Sequence, residues 1–369
     1  MNVDVAVVGG GMIGTAIAYG LAGRGLDTAL LDEGDRAFRA ARGNFGLVWV
    51  QGKGVDMPEY AAWTRHSADA WPELAAELEE TTGVAVGHRR PGGLHLCYSD
   101  EEMAEREREL RRLHNHSGIE WRYEMLDRKA LADLLPGIGP AVVGASYSPA
   151  DGHASPLYLL RALHAGFHQR GGRYLGDHPV RNITADAHGF RLETPRGPVT
   201  AGKLVLAAGL GNATLAPMVG MRQPVRPQRG QILVTEKVRP FLEMPTTYLR
   251  QTVEGSLMLG DSHEEVGFND GTTAPVMQDI ARRATTTFPF LRGIRVVRAW
   301  GALRVMSADG HPIYEQSPDY PGAFAATAHS GVTLAAAHAG RFAGFIAEGR
   351  LPDDFAVFGP ERFDVSTTH

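Results

Sequence analysis

The chain has 369 residues, 43% of them hydrophobic and 21% charged, and a formal net charge of -5. That is enough chain to bury a large core and form two connected domains. Acidic and basic residues are mixed along it, leaving no electrostatic footprint for nucleic acid or an anionic membrane, so small molecules are the expected partners. A single cysteine, Cys97, excludes an internal disulfide and cannot hold an iron–sulfur cluster or a structural zinc, so any metal redox centre must sit on another polypeptide.

The N-terminus runs straight into an apolar strand, residues 3–8, without a charged n-region or cleavage site, and no stretch has the apolar length needed to cross a bilayer. A cytoplasmic address is expected, with peripheral membrane contact left open. The strand is followed by a glycine-rich turn at 9–14, a helix over 15–24 and a second strand over 28–31, which together make one βαβ unit. Between 90 and 140 the character changes. A strand over 93–98 precedes Ser99-Asp100-Glu101-Glu102, whose capping-box spacing opens a charged helix; this segment reads as an insertion. Asp151-Gly152 and a helix over 156–169 follow. The apolar run 203–208, ending at Gly209, suits a parallel strand buried on both faces. Short strands at 231–235, 247–251 and 256–259 read as antiparallel sheet, and the end of the chain as a strand over 323–328, a loop His329-Ser330-Gly331 and a helix over 333–348.

Gly9-Gly10-Gly11-Met12-Ile13-Gly14 satisfies G-x-G-x-x-G between a strand and a helix. Gly9 and Gly11 let the backbone meet a pyrophosphate, the helix starting near Met12 and Ile13 points N–H groups at it, and Gly14 permits close helix–strand packing. Asp32, at the end of the second strand, is placed to bind the adenosine ribose, with Glu33 as its rival. The motif alone admits either FAD or NAD.

Four further segments decide between them. Arg42-Gly43-Asn44-Phe45-Gly46 with Val50-Gln51-Gly52; Asp151-Gly152 with Leu206-Ala207-Ala208-Gly209; Trp300-Gly301-Ala302-Leu303-Arg304 with Asp309-Gly310-His311-Pro312-Ile313; and Ala328-His329-Ser330-Gly331-Val332-Thr333-Leu334, read in order, resemble the D-amino-acid oxidase-like family of flavoenzymes. Glycine oxidases, sarcosine oxidases and the flavin subunits of opine and hydroxyproline dehydrogenases belong to that family. The resemblance implies an α/β fold in which a Rossmann-like FAD-binding domain (1–85, 141–223 and 299–369) is interleaved with an α+β substrate domain built on an antiparallel sheet (86–140 and 224–298). It also implies FAD held along Arg42, Gly43, Asn44, Phe45 and Gly46, near Gly209 and Gly301, and by Ser330, Gly331, Val332 and Thr333. A helix starting after Gly331 would aim its N–H groups at the negative charge of a reduced flavin. His329 in a packing role and Asn44 as a turn residue are the plainer alternatives.

In the family an arginine in the Trp/Gly/Arg segment holds the substrate carboxylate, and Arg304 occupies that position. A guanidinium pairs with a carboxylate bidentately and fixes its angle; the alternative is a structural pair with an acid such as Asp309. Tyr248 matches a family tyrosine that reaches the ligand, with plain packing as the competing reading. The reaction implied is oxidation of a C–N bond by hydride transfer to flavin N5, and positioning carries most of the catalysis.

Two departures carry information. Cys97 lies far from the arginine segment, where some members attach the flavin, so noncovalent FAD is expected. Met258 falls where sarcosine oxidases place an oxygen-activating lysine, which favours a dehydrogenase passing electrons to a partner subunit or quinone over an oxidase making hydrogen peroxide. A subunit that keeps FAD only for structure is the alternative outside enzymes. A pyridine-nucleotide reductase is disfavoured because the glycines at Gly209 and Gly211 do not complete a second fingerprint.

Overall fold

The computed structural model describes residues 1–34, 40–41 and 43–364. Its central sheet runs in the order Ile313–Gln316, Ala323–Thr327, Val199–Leu206, Asn2–Val8, Thr28–Leu31, Arg173–Leu175. Every neighbouring pair is parallel except the first. The near-continuous apolar runs follow from burial on both faces. Val5 and Val7 pack to one side with Ile17, Leu163 and Trp71, whereas Val3, Ala6 and Val8 pack to the other with Phe190, Leu204 and Val219. The strands Asn182–Asp186 and Gly189–Glu193 extend the sheet antiparallel from the start of Val199–Leu206.

The first helix, Met12–Ala22, begins inside the glycine motif rather than at residue 15. Gly9, at φ +111°, and Gly14 make this possible. A Cβ on Gly14 would stand 1.9 Å from the Gly9 carbonyl oxygen, and one on Gly9 would stand 2.3 Å from that of Ala207.

A long helix, Pro58–Thr82, was not read from the sequence. It buries Trp63 and Trp71, and Pro72 breaks its hydrogen-bond ladder. The carbonyl of Ala68, one turn earlier, accepts instead from Arg90 Nη1 at 3.4 Å. The helix fixes the chain's last loop: Trp71 Nε1 donates to the Val332 and Thr333 carbonyls at 3.1 Å, and Ser67 Oγ to that of Thr333 at 2.7 Å.

The second layer holds a four-stranded antiparallel sheet, in the order Leu249–Gln251, Ser256–Leu259, Arg226–Lys237, Val296–Met306, and a three-stranded sheet, Gly93–Cys97, Gly144–Ser148, Glu124–Asp127. A bridge between Leu94 and Thr246 connects them. One apolar cluster, with Leu94, Leu96 and Ala145 against Leu233, Leu249, Leu257 and Phe288, serves both. Two strands cross the boundaries drawn from sequence: Gly144–Ser148 pairs within this layer, and Val296–Met306 is one uninterrupted strand. Among the described residues no helix is long and apolar enough to cross a membrane.

The last helix starts at Ala335, not at residue 333, and widens into a π-turn at His338–Phe342 before Ala343–Glu348. The widened turn leaves carbonyls unpaired in the ordinary ladder. Arg24 braces the turn, donating to the carbonyls of Ala339 and Gly340 at 3.4 and 2.7 Å.

Candidate active site

A groove of about 720 Å³ opens at the C-terminal ends of the parallel strands, lined by Gly9, Gly11, Met12, Ile13, Asp32, Glu33, Ala41, Gly209 and Gly331 among others. This is where ligands sit on open α/β sheets. Gly10 N–H donates to Asp32 Oδ2 at 2.7 Å and Gly34 N–H to Oδ1 at 2.9 Å, so the carboxylate is aimed into the groove by two backbone bonds. Glu33 also lines it but is exposed. The glycine turn admits no side chain at Gly9 or Gly14, and the helix behind it offers unsatisfied N–H groups. Backbone cradle, helix terminus and acid fit the pyrophosphate and ribose of a dinucleotide.

A smaller cavity of about 200 Å³ adjoins the groove. Ala40, Asn44, Val305, Ala328 and His329 line both, so the two spaces are continuous at that edge. The cavity also takes in Gly43, Phe45, Ser330, Val332 and Thr333 from the segments expected along the flavin, and Trp49, Lys53, Thr247, Asp261 and Arg304 besides.

These segments are tied to one another. Asn44 Oδ1 accepts from Gly46 N–H at 2.8 Å, the turn role anticipated for it. Gly46, at φ +93°, leaves a Cβ only 2.4 Å from the Ala154 carbonyl oxygen. Thr333 Oγ1 accepts from Trp49 N–H at 3.1 Å and donates to the Leu47 carbonyl at 3.2 Å. Tyr60 donates to Ser330 Oγ at 3.0 Å. Burial, then the positive charges of Lys53 and Arg304, hold His329 well below its ordinary pKa, so its ring is neutral at pH 7.

Arg304 is on the cavity wall and is held there firmly. Nη2 donates to Asp261 Oδ2 at 2.7 Å, and Nη1 to the carbonyls of Ser262 at 2.7 Å and Arg229 at 3.3 Å. Its acidic partner is therefore Asp261, whereas Asp309 pairs with Arg362. Burial opposes the charge on Asp261, but the hydrogen bond from His263 and the guanidinium of Arg304 outweigh it and lower its pKa.

Two residues are placed differently from expectation. Tyr248 does not line the cavity; its ring packs on the apolar cluster of the second layer with the Arg283 guanidinium 4.0 Å from its centroid, and Thr247 faces the cavity instead. Gly301 lines neither space. A Cβ there would stand 2.5 Å from the Asp270 carbonyl oxygen, so its smallness serves loop packing. Arg42 lies outside the described residues. The inference from Met258 also changes, because a buried cation does stand beside it. Arg250, 4% exposed, donates to Met258 Sδ and to the Phe45 carbonyl, both at 2.8 Å, and burial lowers its pKa to about 10.

Comparison with known proteins settles the family. The family model described as FAD dependent oxidoreductase matches residues 4–344. The chain belongs to this family. It is an FAD-dependent oxidoreductase, and the groove just described is shaped for that cofactor. Among relatives of this flavoenzyme, an opine oxidase subunit from Rhizobium meliloti is 43% identical over 364 residues, covering 98% of each chain. Glycine oxidase of Geobacillus kaustophilus is 27% identical over 336 residues, 88% of this chain and 87% of that one. The crystal structure of glycine oxidase from Geobacillus kaustophilus superposes with a TM-score of 0.91 at 25% identity, covering 99% of this flavoenzyme and all of the other.

Lys53 and Asp261 went unread as site residues. Lys53 directly follows the Val50-Gln51-Gly52 segment, so adjacency could have flagged it. Asp261 reaches Arg304 only through folding, which no local pattern encodes.

Proposed function

We propose that this flavoenzyme oxidises the C–N bond of an amino acid or related carboxylate-bearing amine (a D-amino acid, D-hydroxyproline, an N-substituted amino acid or an opine) and passes the electrons to an acceptor outside the chain. The observation that carries this reading is the small cavity holding Arg304 and opening onto the dinucleotide groove. FAD, when bound, supplies the hydride acceptor. Arg304 would take the substrate carboxylate through its charged, directional donors, with Asp261 as a positioning residue that fixes the guanidinium plane. His329, being neutral, adds no charge to the cavity, and the apolar walls formed by Phe45, Trp49, Ile232 and Val332 exclude water from the reacting carbon.

The relative named as a subunit of an opine oxidase supports an assembly with further subunits and a substituted-amine substrate. A peroxide-forming oxidase is the second reading, favoured by the buried charge of Arg250. An anaerobic screen of glycine, N-methyl amino acids, D-amino acids, D-hydroxyproline and opines tests the reaction class. Bleaching of the flavin by at least one is expected. Bleaching by none would leave a subunit that keeps FAD only for structure.

A further inference from the structure

Lys53 is a cation on the cavity wall that the reaction proposed above does not use. It lines the same small cavity as Arg304, Asp261 and His329 and is half-buried, and among the described residues no acid pairs with it.

Its position is built by its surroundings. The turn carrying it is pinned from beneath by Asp151 Oδ1, which accepts from the N–H groups of Val50 and Gln51 at 2.5 and 3.1 Å. The Gln51 side chain donates to the Gly93 carbonyl at 3.0 Å and accepts from Arg106 Nη2 at 2.9 Å and Ser146 Oγ at 2.7 Å. Lys53 N–H closes the turn on the Val50 carbonyl at 3.0 Å. Gly52 and Gly54 flank it at φ +82° and +70°, and a Cβ on Gly54 would stand 2.3 Å from Ala61 N. The polar groups of the turn are thus satisfied without the ammonium of Lys53, and among the described residues no hydrogen bond or ion pair takes it up.

Charge then decides what the cavity accepts. Among the described residues that line the cavity, Lys53 and Arg304 against Asp261, with His329 neutral, leave an excess of one positive charge. An amino acid with one carboxylate is a zwitterion and would leave Lys53 desolvated and unpaired, which is costly. An ammonium flanked by two carboxylates carries the compensating negative charge. We propose that Lys53 anchors a second substrate carboxylate, so that the cavity is specific for secondary amines bearing a carboxylate on either side of the nitrogen, one held by Arg304 and the other by Lys53. A compact ammonium on a flexible stem suits the second position, because it tolerates variation in the spacing of the two carboxylates.

The inference rests on the carboxylate role proposed for Arg304, and its test separates the two. Calorimetric titration of the FAD-loaded enzyme would compare glutarate, which has the shape of iminodiacetate with carbon for nitrogen, with butyrate, which has that of N-methylglycine. The wild type should bind glutarate more tightly. Lys53→Met should weaken glutarate binding by about tenfold more than butyrate binding, and Lys53→Arg should restore most of the difference. In turnover, Lys53→Met should raise KM for iminodiacetate more than for N-methylglycine while sparing kcat. Equal losses for both ligands, or no preference for glutarate in the wild type, would overturn the assignment. If no amine of the anaerobic screen bleaches the flavin, the proposed reaction fails, and the glutarate and butyrate titrations still decide the role of Lys53.

Discussion

Arg304 and Asp261 face each other across 2.7 Å on the wall of the small cavity, and the remaining donor positions seen in use on Arg304 go to backbone carbonyls. The guanidinium is therefore preset rather than free, and an incoming carboxylate must share it with Asp261. The side chains are 17% and 25% exposed, so the pair is desolvated enough for removal of one member to leave the other in trouble.

Arg304→Ala should consequently lower both turnover and stability, and the two losses should separate in a double variant. Truncating one partner of a desolvated pair costs about 2–5 kcal/mol, roughly thirtyfold to several thousandfold in kcat/KM. Arg304→Ala combined with Asp261→Asn should recover thermal stability, by relieving the stranded carboxylate, without recovering turnover of carboxylate substrates. Wild-type kinetics in the single variant on its best substrate would show that the arginine is structural. Equal loss of bound FAD would also undo the assignment.

FAD should be tightly but noncovalently bound. The sole cysteine, Cys97, is 1% exposed, ends a strand of the second layer, and has its thiol pushed up to about 11 chiefly by burial, so no thiolate is on hand to link a flavin. Acid precipitation should leave yellow flavin in the supernatant, whereas a yellow pellet would contradict the expectation. Asp32→Ala removes the acceptor of the Gly10 and Gly34 N–H groups and should raise the Kd for FAD by about ten- to a hundredfold, or ~1.5–3 kcal/mol, in a titration of the apoprotein.

The electron acceptor should lie outside the chain. With substrate in excess, a dye acceptor should support turnover at least about tenfold faster than air-saturated oxygen, equivalent to ~1.4 kcal/mol in barrier. Met258 no longer supports this expectation, since the buried guanidinium of Arg250 rests on its sulfur. It stands on the relative that is a named subunit and on the lone cysteine, which leaves no internal iron–sulfur relay. Peroxide forming as fast as dye is reduced would favour the oxidase, and Arg250→Met would then be the variant to examine.

Stability should fall as the pH drops below about 6.5. His153 and His338, 4% and 0% exposed, have pKa values lowered to about 3, chiefly by burial. A histidine depressed in the fold contributes stability that is complete above its unfolded pKa and is lost as the pH falls toward the folded one. Asp151 acts oppositely: burial raises its pKa to about 6, so its contribution is complete below the unfolded value and is lost as the pH rises through about 6. Two protons taken up on unfolding outweigh one released, and the midpoint for urea unfolding should decline from pH 6.5 to 4.5. A midpoint that rose over that interval would mean these histidines are charged in the fold.

Much of the nucleotide site was legible in the sequence because it is local. Gly9 to Gly14 and Asp32 lie within one βαβ unit, and Ser99 announces its helix through a cap that forms as read, its Oγ accepting from Glu102 N–H at 3.2 Å. The substrate side was less legible because its geometry is set at a distance. Whether Thr247 or Tyr248 meets the cavity is decided in a bend that precedes the strand Leu249–Gln251, where the alternation of a strand does not apply. Which acid meets Arg304 depends on how the loop after Ser256–Leu259 returns beside Val296–Met306. The helix Pro58–Thr82 carries no motif, and its two buried tryptophans gain their meaning only from the last loop they hold.

The order of strands in the central sheet has a consequence for biosynthesis. Asn2–Val8 has Thr28–Leu31 on one side, but its other neighbour is Val199–Leu206, which in turn pairs with Ala323–Thr327. A growing polypeptide therefore emerges from the ribosome with its first strand lacking one edge partner until more than half of the chain has been made. The loop at Ser330–Thr333, which lines the small cavity and the edge of the groove, arrives later still. Sheets assembled from such distant pieces form slowly and expose unpaired edges meanwhile. Loading of the cofactor is thus an event that follows translation, and N-terminal fragments ending before Ala323–Thr327 should neither retain FAD nor stay in solution.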